Sequence, residues 1–141
     1  MKNAKWMLPV MLMLLSGLMA AQSLASSTVV AQVPFEFMAN NKIVPAGECM
    51  VQSADMDARV LTIRNVAAKK SLLAQASRDD AKQAAENTVL VFNHYGNQYF
   101  LSEIRIEGSN QTYKLSPSRA ETELRAQNAP ASQQTLLASL K

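Results

Sequence analysis

Residues 88–107 read TVLVFNHYGNQYFLSEIRIE. Two runs rich in β-branched and aromatic residues flank the dipeptide Gly96-Asn97. Apolar and polar residues alternate with a period near two, as in a half-buried strand, and not 3.6 as in a helix. Glycine at the first central position of a two-residue loop fits a type II′ turn, whose twist matches that of the flanking strands. That turn sets a register: Tyr95 opposite Gln98, His94 opposite Tyr99, Phe92 opposite Leu101. The stretch is therefore a β-hairpin, and it carries the only histidine of the chain.

Working outward, the same period runs back to Thr28. In VVAQVPFEF (29–37), Val29, Ala31, Val33, Phe35 and Phe37 fall on one face. Pro34 lacks an N–H, which places this strand at an edge or a bulge. Asn40-Asn41 suits a turn with positive φ, and Pro45 and Gly47 punctuate the return. ECMVQS (48–53) and RVLTIRN (59–65) are further strands, the second with Leu61 and Ile63 inward. SLLAQAS (71–77) is ambiguous between helix and strand. RDDAKQAAEN (78–87) is read as an exposed connection, because it offers little apolar face to bury.

Past Gly108 the pattern changes. LSPSRAETELRAQ (115–127) begins a helix, capped either by Ser116 with Pro117 in the first turn or by Ser118 with Glu121 closing a capping box. Glu121 and Arg125 form a favourable i,i+4 pair. Ala120 and Leu124 are its apolar stripe, which predicts a helix lying flat on the sheet. Residues 127–141 are low in charge and are expected to form a mobile tail.

The first 25 residues read as a secretory signal peptide. Lys2 and Lys5 precede the apolar run WMLPVMLMLLSGLMAA, and Ser23 and Ala25 stand at the small-residue positions before a cut after Ala25. An uncleaved N-terminal anchor is the alternative, since a spanning helix needs roughly 20 apolar residues. Removal of residues 1–25 leaves a single domain with a net charge of about +1, since both leader lysines go with the signal. Lys69-Lys70 is then the largest basic block, which argues against nucleic acid as a partner.

The chain has one cysteine and one histidine. One cysteine makes no intramolecular disulfide, and one of each builds no ordinary zinc site. Cys49, within a strand, reads as a small buried hydrophobe. Asp55-Met56-Asp57 lacks the glycine and terminal glutamate of a calcium loop and reads as a solvated turn. No cofactor, metal ligand or catalytic residue is assigned. As a general base, His94 needs a hydroxyl or carboxylate beside it, and Ser102, Glu103 and Tyr99 are the nearby choices. In the II′ register Glu103 shares the His94 face, opposite Leu90. The other reading is a cross-strand His94–Tyr99 pair, worth about 0.2–1 kcal/mol to the hairpin, and the sequence favours it. His94, Tyr99, Phe35 and Phe37 are the candidate contacts for a ligand or partner.

Three segments, VPFEFMANNKIVPAGECMV, VLVFNHYGNQYFLSEI and LSPSRAETEL, together resemble an uncharacterised family of small exported bacterial β-proteins. Its members pair a V-P-F-x-F strand with an N-K-x-x-P-A-G turn. A Y-G-x-x-Y-F-L hairpin and an S-x-A-E-x-E-L helix follow. The match runs over most of residues 33–124, with Cys49 standing where the family pattern has an aromatic residue. The resemblance implies a bacterial envelope protein and implies no activity.

The expectation is an all-β fold, a small antiparallel barrel or sandwich of six to seven strands with one short C-terminal helix. It divides into a signal peptide (1–25), a β domain ending in a helix (26–126) and a tail (127–141). The expected function is that of an exported, periplasmic or extracellular, non-catalytic binding or scaffolding module. Its expected partner is an envelope protein, recruited by strand addition to the edge formed by the first strand. The membrane is met only through the signal segment. A carrier with an apolar cavity and an enzyme using His94 are the rival readings.

Overall fold

A computed structural model describes residues 27–141; the expected signal segment lies outside the described residues. Among the described residues eleven strands and one helix follow in order: β1 Thr28–Val33, β2 Phe37–Ala39, β3 Lys42–Val44, β4 Gly47–Ser53, β5 Val60–Asn65, β6 Lys70–Asp80, β7 Val89–Tyr95, β8 Gln98–Arg105, β9 Gln111–Leu115, α1 Arg119–Ala126, β10 Ser132–Leu137 and β11 Ser139–Leu140. The fold is all-β with one short helix. The strand count exceeds the six or seven expected because β2, β3 and β11 are three residues or fewer, and because β9 and β10 carry weak β signals.

The strands form one sheet in the order β10-β7-β8-β9-β6-β5-β4-β1-β11, with β2 pairing β3 and β8 off this path. The long strand β6 changes partner midway. Its first half, Lys70 to Gln75, pairs with β5. Its second half, Ala76 to Asp80, pairs with β9. SLLAQAS is thus a strand, and Arg78, Asp79 and Asp80, read from sequence as loop, extend it. Their side chains are exposed, so backbone pairing, helped by an ion pair between Asp79 and Lys114 on β9, holds them there. The rest of that connection is stitched to the turn after β8, with Ala81 N donating to Asn110 O at 2.7 Å and Gly108 N to Ala85 O at 2.9 Å.

The core is built from alternate residues. Val29, Ala31 and Val33 on β1, Cys49 and Val51 on β4, and Leu61 and Ile63 on β5 are buried, as their period predicts. Leu90 and Phe92 on β7, Leu101 and Ile104 on β8, and Tyr113 on β9 complete the same cluster. Pro34 does not sit inside a strand. It falls between β1 and β2, where the chain leaves β4 and turns to β3 and β8. A residue without an N–H costs nothing at such a break.

Turns are held by asparagines. Asn40 and Asn41 take φ of 48° and 61°, the left-handed pair that joins β2 to β3. Asn40 Nδ2 also donates to Leu73 O at 2.7 Å, and Asn41 Oδ1 accepts from the first helical N–H, that of Arg119. Asn65 is wholly buried, with Nδ2 donating to Pro45 O at 2.8 Å and Oδ1 accepting from Ala68 N at 2.8 Å. One side chain therefore fixes two turns, including that at Gly47, whose φ is +135°.

Residues 127–141, expected to form a mobile tail, contain two strands. β10 pairs with β7 from Ser132–His94 to Leu137–Val89. β11 pairs with β1 at Leu140–Val29 and Ser139–Val30. The two ends of the strand order are thus parts of one tail, and the β1 edge, expected to be open, is covered at its start by the chain itself. The sequence hid this because no tail residue is fully buried, which leaves backbone bonding to carry the pairing.

Replacing Asn65 with alanine leaves two turn carbonyls and one N–H without their partner. We expect Asn65→Ala to lower unfolding free energy by about 1–3 kcal/mol, read from the urea midpoint at unchanged m-value.

Candidate functional site

The hairpin places His94 as its turn predicts. Gly96 has φ +61°, and Tyr95–Gln98, His94–Tyr99, Asn93–Phe100 and Phe92–Leu101 are register partners. Beyond Phe92 the register shifts: Val91 lies opposite Glu103, which leaves Ser102 as an extra residue on β8. This bulge corrects the sequence reading of the face. Glu103 stands opposite Val91 and not Leu90, so alternation sends its carboxylate to the face away from His94. There it bonds Arg105 Nη2 at 2.9 Å.

His94 is instead part of a ring column. Its imidazole stacks on Tyr99, with centroids 4.0 Å apart and planes 3° off parallel. Tyr99 stacks in turn on Phe35 at 3.7 Å. Phe35 meets Phe92 edge-on at 5.0 Å, and Phe37 meets Phe92 the same way at 5.1 Å. The Tyr99 hydroxyl cannot serve the imidazole in this arrangement, because ring nitrogen lone pairs lie in the ring plane and Tyr99 lies above it. Among the described residues no carboxylate or hydroxyl hydrogen-bonds His94. The four residues singled out from sequence, His94, Tyr99, Phe35 and Phe37, are therefore brought together with Phe92 as one stack at the end of the core.

Beside the stack is an open groove of about 420 Å³, walled by Phe35, Phe37, Met38, Ile43, Tyr99 and Phe100, with Asn97 and Gln98 at its rim. Ile43 is 52% exposed. Two larger depressions, of about 650 and 540 Å³, are lined mostly by charged and polar residue types. In the first, Lys114 Nζ meets Asp79 Oδ2 at 2.9 Å and Arg105 meets Glu103. The Asp79 carboxylate holds the Lys114 ammonium above its ordinary pKa.

The sequence did not foresee the polar network under the helix. Ser118 caps α1, its Oγ accepting from Glu121 N at 3.2 Å. The Glu121 carboxylate does not reach back to close the capping box. It is buried against β7, where it accepts from Asn93 Nδ2 at 3.2 Å and from Arg125 at 3.4 Å. Arg125 Nε donates to Tyr95 Oη at 3.1 Å, the main cause of its raised pKa. The expected apolar contact through Ala120 and Leu124 is only half-buried, and the carboxylate lies deepest. The i,i+4 spacing of Glu121 and Arg125 was the available signal.

Cys49 is buried on β4, and burial pushes its thiol from 9.0 up to about 12. A thiol that stays protonated is a poor nucleophile. Asp55 Oδ1 accepts from Arg59 N at 2.9 Å, so this carboxylate closes its own loop. Among the described residues no three His, Cys, Asp or Glu gather closely enough to hold a metal ion. None of their helices is long and apolar enough to cross a membrane. No family model, curated protein or solved structure matches the chain.

Two outcomes follow from this geometry. His94→Ala removes one stacked ring and should cost about 0.5–1.5 kcal/mol, seen as a lower thermal midpoint. For Cys49, the folded chain keeps a proton that the unfolded chain loses between pH 9.0 and about 12. The unfolded state then binds fewer protons, so stability falls as pH rises through that window. In Cys49→Ala that alkaline fall should be shallower by up to about 1.4 kcal/mol per pH unit, measured by denaturant titrations at several pH values.

Proposed function

We propose that this chain is an exported, non-catalytic binding module of the bacterial envelope, as the resemblance to the family of small exported β-proteins implies. The sheet is read as a small barrel whose wall the tail completes between β7 and β1. The observation that carries the binding reading is the ring column. Phe92, Phe37 and Phe35 fill the end of the core, which leaves the apolar contact surface outside, in the groove of Phe35, Tyr99 and Ile43. A carrier draws less support, since a ligand pocket wants an apolar volume that encloses most of its ligand. An enzyme draws less again, since the imidazole faces a ring and the thiol is buried.

The test uses exported protein, whose first residue by N-terminal sequencing should be Ser26. Immobilised wild-type chain should retain a defined envelope protein that Ile43→Asp loses, with both chains showing the same thermal midpoint. Recovery of Met1 in the mature protein would return the anchor reading. Equal capture by both chains would remove the groove, and a turnover abolished by His94→Ala would make the protein an enzyme.

A further inference from the structure

The tail is an unusual wall strand. Ser132 to Leu137 pair with β7 along six positions. The chain then passes Ala138, whose N–H bonds Thr88 O at 2.9 Å, and pairs with β1 at only two positions. Thr28 and Lys141 exchange both backbone hydrogen bonds at 2.9 and 2.8 Å. On β1, Ala31 to Val33 pair with β4 on one side and have no ladder partner on the other among the described residues.

Side chains anchor this segment weakly. Leu136, Ala138 and Leu140 rest half-buried on the core at alternate positions, and Leu137 is 73% exposed. Beside the tail, as its register partners on β1 and β7, lie Val29, Leu90 and Phe92, all 0% exposed. Segments with few buried contacts are the first to open locally. Yet the two edges under the tail cannot stay bare, because unpaired backbone over an apolar core invites another strand. Residues 132–140 also carry no charge, so nothing in them repels a competing strand. The link from α1 passes Asn128, at φ 56°, and Pro130.

We propose that residues 132–141 are a resident strand occupying a strand-addition site between β7 and β1. The partner is an extended, uncharged segment of another protein with apolar, small and apolar side chains at alternate positions, matching Leu136, Ala138 and Leu140. Backbone bonds to β7 and β1 supply affinity, and the three alternate seats supply selectivity. The proposal rests on the binding-module reading and places the contact at the seam, which that reading does not require.

The probe is a fluorescent synthetic peptide of sequence ASQQTLLASLK, added to the full chain. Saturable binding is expected, lost by a peptide carrying aspartate at the positions of Leu136 and Leu140. It should fall at least tenfold when Val30→Cys and Ser139→Cys tether the tail by an intramolecular disulfide. In the untethered chain, hydrogen exchange at Gln133 to Leu140 should run at least tenfold faster than at Glu48 to Gln52 of β4. Tail amides as slow as those of β4, or no saturable binding, would overturn the proposal. Equal binding to the tethered chain would move the site elsewhere and leave the binding-module reading standing. An intermolecular disulfide in the double-cysteine chain, with a dimer by light scattering, would show that copies exchange tails and that no outside partner is needed.

Discussion

The backbone of β6 holds the two halves of the molecule together. One half of this strand bonds β5, the other bonds β9, and among the described residues no other strand joins the two sets along the main path. Both hairpin groups take their relative placement from it. Leu72 and Ala74 point into the shared core, while the polar end from Ser77 to Asp80 continues the pairing without burying anything. Backbone bonds are indifferent to side chains, which is how an extended strand can be half apolar and half charged and still join two sets of strands in one sheet.

That property explains where the sequence was readable. Strands that bury alternate residues announced themselves: β1, β4, β5 and the β7–β8 hairpin with its Gly96 turn. The Asn40-Asn41 turn was legible for the same kind of reason, since few residue types accept positive φ twice in succession. Strands held mainly by hydrogen bonds left no such signature. The charged end of β6 and the Ser- and Gln-rich β10 are of that kind. Propensity is weak there, and the decisive fact, a waiting edge on β7, lies far away in sequence.

The candidate site was legible in part. The turn placed His94 against Tyr99, and the pairing alone brought two rings together. It could not bring Phe35, which arrives from a break at Pro34. Nor did it show the Ser102 bulge, where one added residue carries Glu103 to the opposite face. Local spacing offers Glu121 two roles, capping-box partner of Ser118 and i,i+4 partner of Arg125, and its burial depends on Asn93 and Arg125 converging on one carboxylate. Convergence of a helix and a distant strand, α1 and β7, is a property of the fold and not of any local run of residues.

The meeting of Leu140 with Val29 has a consequence in time. Ribosomes deliver β1 first and β11 after every other described element, so this seam is the last contact whose two halves both exist. Until then β7 and β1 present unfinished edges, and pairing across so long a separation is slow. A clipped chain lacking Ser139 to Lys141 would carry most of its core and β10 on β7, and would still display the start of β1 as a sticky margin. Until the tail pairs, the start of β1 is an open edge beside a core that is otherwise assembled, the kind of margin that invites misassembly.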